Sequence, residues 1–255
     1  MIKKVLISCF LLCFGFSQGQ QKTETSFLNF NEIKQDNSGQ WISSVQQDKD
    51  GFIWLATQDG LYKYDGKNFK AFRYNPADKN SLPANWVRSI NQDTNGVFWL
   101  GTQGRGLVKF EEKSSTFTTM DLSSANEPDN PLIVYDAFST SASAIWVISE
   151  DGLYRRSEVD SSFKKIADPK SYTQVHELGD GSEIVMFENQ LFNYNQDTKK
   201  LDLILSNIPF GRILVTGKKS IIYRSEGKLF SYDFIRSPKE ISTPNNEVIK
   251  SMSNL

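Results

Sequence analysis

Few side chains in this 255-residue chain could carry chemistry. His176 is the only histidine, so a histidine pair or histidine-based metal cluster cannot be assembled within the chain. A lone histidine without an obvious partner reads as a packed or surface residue rather than a proton carrier. Cys9 and Cys13 are the only cysteines, and both fall in an amino-terminal leader. Once that leader is removed, no disulfide, thiol nucleophile or cysteine metal site remains. Asp48-Lys49-Asp50-Gly51 matches half of a calcium loop, but the full pattern needs a glutamate where Thr57 stands, so a hairpin turn is the better reading. Two carboxylates facing each other across a cavity could cleave a glycosidic bond. Here, however, the acidic positions mostly fall in repeated turns, where aspartate has a backbone role. No catalytic residue, metal site or cofactor is expected.

The elements that hold these residues come from a repeat. Asp48-Lys49-Asp50-Gly51-Phe52-Ile53-Trp54-Leu55 returns as Asp93-Thr94-Asn95-Gly96-Val97-Phe98-Trp99-Leu100. Gly51 and Gly96, Trp54 and Trp99, and Trp41 and Trp86 are each 45 residues apart. Self-similarity at this period marks units that bury their apolar faces only by stacking on a neighbour. Within a unit, Asp50-Gly51, Asp59-Gly60 and Asp65-Gly66 supply tight turns. The run Phe52-Ile53-Trp54-Leu55-Ala56 is continuously apolar, as suits a strand covered on both faces. Residues 69–74 alternate apolar with basic, as a half-exposed outer strand does. Four strands over about 45 residues make a β-propeller blade, whereas a helical solenoid would show helical spacing. The expected fold is all-β, a propeller of four-stranded blades.

Repeats are expected at residues 41–85, 86–132, 133–171, 172–208 and 209–245, with the start of a sixth at 246–255. Trp146, Ile184 and Ile222 take the tryptophan slot in the third, fourth and fifth, and the period there tightens to 38 residues. The third lacks the Asp-x-x-Gly turn, carrying Ser141-Ala142-Ser143 instead. Residues 1–19 read as a secretory signal, with Lys3 and Lys4 before an apolar stretch shorter than the ~20 residues of a spanning helix. Lipidation at Cys9 is a lesser alternative. Residues 20–40 form an arm whose segment 27–33 is a strand able to close a ring, the alternative being an unpaired leader. The chain carries 29 basic and 30 acidic groups. Without any basic excess, nucleic acid is excluded as an expected partner.

In a propeller, the turn between second and third strands and the connection between blades gather at one mouth of the channel. That geometry nominates Gln58, Asp59, Gln103, Arg105, Glu150, Asp151, Glu188 and Asn189 as ligand-binding candidates. Amide, carboxylate and guanidinium groups ringed by aromatics suit a saccharide, although each alone is also an ordinary turn residue. Arg105 stands out because the second repeat inserts one residue there: Trp54 to Gly60 spans six positions and Trp99 to Gly106 seven. Trp54, Trp99 and Trp146 sit mid-strand and read as inter-blade core. Trp41 and Trp86, at the start of their repeats, would stack on a ligand if exposed or lock blades if buried.

The pattern Asp-x-x-Gly-x-aromatic/aliphatic-Trp-Leu-Gly/Ala-Thr-x-x-Gly-Leu, at residues 48–61 and 93–107, resembles the regulator-propeller repeat of bacterial two-component sensors. The resemblance is strong in two repeats and decays afterwards. It implies a seven-bladed parent ring of which this chain is an open arc, a five-bladed ring being the alternative. It further implies the periplasmic ligand-sensing part of a hybrid histidine kinase, responding to oligosaccharides and able to dimerise through the full-length sensor. Membrane attachment would then come through a segment beyond Leu255. An exported protein-interaction scaffold and a glycan hydrolase or lyase are the competing classes.

Overall fold

A computed structural model of the chain describes residues 41–122, 132–160, 162–170, 173–208, 213–216, 218–225 and 228–241. The expected leader, the ring-closing arm and the start of a sixth repeat lie outside them. Five four-stranded antiparallel sheets follow one another, each with its strands side by side in chain order. The first holds β1 (Ile42–Gln47), β2 (Ile53–Thr57), β3 (Gly60–Tyr64) and β4 (Phe69–Phe72). The second holds β5 (Val87–Gln92), β6 (Phe98–Thr102), β7 (Leu107–Glu111) and β8 (Thr116–Met120). The third holds β9 (Val134–Ser139), β10 (Ile145–Ser149), β11 (Leu153–Arg156) and β12 (Lys164–Ala167). The fourth holds β13 (Gln174–Glu177), β14 (Glu183–Phe187), β15 (Gln190–Asn195) and β16 (Lys200–Ser206), and the fifth β17 (Leu214–Val215), β18 (Ile221–Ser225), β19 (Lys228–Tyr232) and β20 (Lys239–Ile241). First strands lie against first strands, β1 on β5 and β5 on β9. The sheets are therefore blades of a β-propeller, with first strands innermost.

The tryptophan slot is the second residue of every second strand: Trp54, Trp99, Trp146, Ile184 and Ile222. Each buried tryptophan faces the next blade. Trp54 packs with Phe98 and Phe110, Trp99 with Val134 and Phe163, and Trp146 with Val175 and Tyr194. The Asp-x-x-Gly turn explains why tryptophan recurs with aspartate. Asp48 accepts the N–H groups of Asp50 and Phe52 on Oδ1 at 3.0 and 2.9 Å and the Trp54 indole Nε1–H on Oδ2 at 2.8 Å. Asp93 does the same for Asn95, Val97 and Trp99 at 2.9, 3.0 and 2.9 Å. One carboxylate thus closes the turn and satisfies a buried indole that would otherwise cost ~1–3 kcal/mol. In the third blade Thr140 takes the aspartate position. Its Oγ1 accepts only the Ala144 N–H, at 3.1 Å, and the buried Trp146 Nε1–H has no partner among the described residues. In the fourth, Leu178 and Ile184 replace both members of the pair and meet in one apolar cluster.

Neighbouring blades are also joined at the β1–β2 type of turn. Lys49 N–H donates to Gln92 Oε1 at 3.1 Å, Ser139 N–H to Asn91 Oδ1 at 3.0 Å, Ser141 N–H to Glu177 Oε2 at 2.8 Å and Asp180 N–H to the Lys218 carbonyl at 2.9 Å. Between the third and fourth blades lies a buried ion pair. Arg155 Nε and Nη2 each reach a Glu183 oxygen at 2.9 Å, and the two side chains are only 5% and 2% exposed. The expectation that every second strand is covered on both faces needs one correction. All five residues of β6 and of β14 are buried, but Ile53 and Leu55 of β2 are only half-buried. Among the described residues no blade stands against that flank of the first sheet.

Candidate functional site

The three N-terminal blades share a feature that the repeat alone does not disclose. In each innermost strand one residue drops out of the ladder. Ile42 pairs with Thr57 and Ser44 with Ala56, bypassing Ser43. Val87 pairs with Thr102 and Ser89 with Gly101, bypassing Arg88. Val134 pairs with Ser149 and Asp136 with Ile148, bypassing Tyr135. A bulge of this kind frees one side chain from the strand's alternation and re-aims it. Ser43, Arg88 and Tyr135 occupy equivalent positions, and the last two meet. The Arg88 guanidinium carbon lies 5.1 Å from the Tyr135 ring centre and 5.7 Å from that of Trp86.

Gln103, from the β6–β7 turn, accepts a hydrogen bond from Arg88 Nη1 on its Oε1 at 2.5 Å. The result is a cluster of two exposed rings, a half-buried cation and an amide, drawn from two blades. Trp86 is 38% and Tyr135 45% exposed. No carboxylate pairs with Arg88 among the described residues. A guanidinium has five N–H donors in a rigid plane, and among the described residues Arg88 uses one of them, on Gln103.

The turns that carry the expected residues do gather at this end. Gln58 N–H donates to the Trp41 carbonyl at 3.3 Å, Gln103 N–H to that of Trp86 at 3.0 Å and Glu150 N–H to that of Ile133 at 3.0 Å. A hydroxyl at the end of each second strand ties the turn: Thr57 and Thr102 Oγ1 and Ser149 Oγ donate to the carbonyls of Gly60, Gly106 and Gly152 at 2.9, 2.8 and 2.9 Å. The residue inserted in the second turn lets it reach the next connection. Gly106 N–H donates to the Leu132 carbonyl at 2.8 Å, and Gln103 bridges Ile133.

Of the nominated side chains, Trp86 and Gln103 come together with Arg88. Glu150 sits beside them, its Oε1 accepting the Ile133 N–H at 2.7 Å. Asp59 and Asp151 turn instead to their own blades. Asp59 Oδ2 accepts from Tyr62 Oη at 2.9 Å and pairs with Arg73 at 2.7 Å. Asp151 accepts from Tyr154 Oη and lies 3.5 Å from Lys165. The spacing Asp-x-x-Tyr, present in both, was the available sequence signal for this. Gln58 and Arg105 are exposed, with no side-chain hydrogen bond among the described residues. Glu188 lies 3.5 Å from Lys170, and the Asn189 carbonyl accepts the Ile208 N–H at 3.0 Å, both in the fourth blade. Trp41 is 70% exposed. Sequence reasoning missed Arg88 and Tyr135.

Electrostatics separate scaffold from site. Desolvation pushes the Asp136 carboxyl up from its ordinary range, against the Ala137 N–H that favours its charge. It lines a small recess with Phe138, Trp146, Ile148 and Val175. Burial also lowers the pKa of His176, a half-buried residue of β13 opposite Ile184. Asp48 and Asp93 are saturated by N–H donors, so the partial calcium pattern is a turn.

Comparison with known proteins adds the following. A family model described as "Two component regulator propeller" matches residues 36–59 and 81–104. A curated relative, histidine kinase P4 of Formosa agariphila, is 33% identical over 78 residues, which is 31% of this chain and 5% of that protein. The extracellular domain of a hybrid two component system from B. thetaiotaomicron superposes with a TM-score of 0.53 at 20% identity, covering 81% of this chain and 35% of that one. A catalytically inactive virginiamycin B lyase from Staphylococcus aureus, with quinupristin, gives a TM-score of 0.60 at 12% identity, over 81% of this chain and 71% of the lyase. These structural likenesses show a common fold. The chain spans a small part of the kinase and about a third of the extracellular domain.

Proposed function

From its two copies of the two-component regulator propeller repeat, at residues 36–59 and 81–104, we infer that the chain is the exported, ligand-sensing propeller of a two-component signalling protein, responding to oligosaccharides. The repeat match is the observation that carries this reading. The curated relative matched over 78 residues is a histidine kinase, and the superposable domain is the extracellular part of a hybrid system. On this reading ligand binds at the rim of the inner strands, around Trp86, Gln103 and Arg105, and alters the contact between two sensor copies across a membrane. The periplasm is the corresponding compartment. A non-enzymatic role is supported by the carboxylates of the rim, since Asp59, Asp151 and Glu150 are spent on holding turns.

The test is calorimetric titration of the purified, folded chain with a panel of plant and host oligosaccharides. A saturable signal weakened by Arg105→Ala is the expected outcome. Absence of binding across the panel from a demonstrably folded protein would move the assignment to a protein-interaction scaffold.

A further inference from the structure

We propose that the rim site selects acidic saccharides, and that Arg88, held between Trp86 and Tyr135, is the group that binds their carboxylate or sulfate. This rests on the saccharide-sensing reading and adds the charge of the ligand to it. Four observations lead there. Arg88 occupies a β-bulge, a device that re-aims a side chain away from strand pairing. Its guanidinium lies 5.7 Å from the Trp86 ring centre and 5.1 Å from that of Tyr135, which hold the planar cation by cation–π attraction and restrict its motion. Its one hydrogen-bond partner among the described residues, Gln103 Oε1 at 2.5 Å, is neutral, so the charge is oriented but not neutralised. Both rings remain partly exposed, at 38% and 45%, offering apolar faces beside the cation.

Arg156, 4.9 and 5.1 Å from the Trp99 and Phe163 rings, likewise has no ion pair among the described residues, but its rings are buried, whereas those beside Arg88 are open to solvent. Elsewhere in these blades the cations that meet aromatic rings often have an acid: Lys63 lies over Phe52 and pairs with Glu112, Arg73 lies near Tyr62 and pairs with Asp59, and Arg155 lies over Trp146 and pairs with Glu183. Arg88 repeats that arrangement with the acid missing. A uronate or sulfated sugar supplies it: the oxyanion takes the open N–H donors in a charge-assisted, bidentate geometry, and the C–H face of the ring packs on Trp86 or Tyr135. The equivalent bulge position in the first blade is Ser43. Trp41, the first blade's counterpart of Trp86, is 70% exposed.

The experiment is titration of the purified full chain with four probes: an oligogalacturonate, a sulfated disaccharide, a neutral galactan oligomer and a poly-glutamate peptide. Acidic sugars are expected to bind at least about tenfold more tightly than the neutral one, an advantage that added salt reduces. The first two probes distinguish carboxylate from sulfate. Arg88→Ala should weaken acidic-sugar binding by about tenfold or more, a loss that Arg88→Lys restores only in part because ammonium cannot stack or bind in a fork. Tyr135→Leu should weaken it with the charge intact, and circular dichroism and thermal unfolding check that each variant folds. Equal binding of neutral and acidic sugars, unaffected by Arg88→Ala, overturns the charge assignment and leaves the saccharide reading standing. Silence with every sugar overturns both. Binding of the acidic peptide alone overturns the proposal in favour of a protein ligand.

Discussion

At the scale of single residues, the bond between a turn carboxylate and a buried indole accounts for the strongest part of the repeat. It also identifies a flaw. The third blade keeps Trp146 but has Thr140 where Asp48 and Asp93 stand, so an indole N–H is buried without a described partner. Thr140→Asp should supply the acceptor, with a gain of about 1–2 kcal/mol because hydrogen bonds to charged groups exceed neutral ones. In a chain of this size that corresponds to a rise in melting temperature of about 2–8 °C. Glu177 of the next blade, bonded to Ser141, is close enough in space to oppose a new negative charge. Repeating Thr140→Asp in a Trp146→Phe background removes that contribution, and the gain must then disappear. If the gain survives without the indole, the bond is not its origin.

At the scale of the element, the turn after each second strand is shaped by its glycine, and two of these glycines differ in a measurable way. Gly60 has φ +129°, and a Cβ there would lie 2.5 Å from the Phe72 carbonyl oxygen, a backbone atom that cannot swing aside. Gly106 has φ +67°, and its nearest neighbour to a Cβ is the Leu132 side chain at 3.9 Å. Gly106→Ala should therefore cost only the ~1–2 kcal/mol of a left-handed residue. Gly60→Ala should cost clearly more, since β4 must move as well. Urea unfolding of the two variants makes the comparison, and equal losses would mean that the first turn relaxes freely.

The strands and turns themselves were legible because apolar runs between Asp-Gly pairs are short and the tryptophans rare. Ile184 and Ile222 were recognisable as occupants of the same slot only by offset, yet each is the second residue of its strand. The bulges were not legible, because a bulge is a change of register that leaves no distinctive residue behind. Nothing in the sequence sets Arg88 apart as a site residue beyond its place two residues after Trp86, matching Ser43 after Trp41, a position where the strand's alternation breaks. Asp59 and Asp151 were assigned to the mouth from their turn alone, while the tyrosine three residues later in each was the clue that they face outward.

At the scale of the whole molecule, the closest packing between described blades is between sequence neighbours, so stability is approximately a sum of blade and interface contributions. Arg155 and Glu183 sit at one such interface, with Gln196 Nε2 donating to Glu183 Oε2 at 3.1 Å. Arg155→Met leaves a buried carboxylate unpaired and should cost about 3–5 kcal/mol, whereas Arg155→Met combined with Glu183→Met should recover most of it. Equilibrium unfolding of the single and double variants decides the matter. A double variant as unstable as the single would show that the pair, and not the desolvated charge, holds the third and fourth blades together.

The placement of the tryptophans gives the protein an optical map of itself. Trp54, Trp99 and Trp146 are sealed between blades, whereas Trp86 and Trp41 stand in solvent at the rim. The five chromophores thus divide into a blue-emitting set that reports whether the blades are closed and a red-emitting pair that reports what touches the mouth. Occupancy and unfolding therefore write to different ends of one emission spectrum, and the unlabelled chain can be watched binding and melting in the same cuvette.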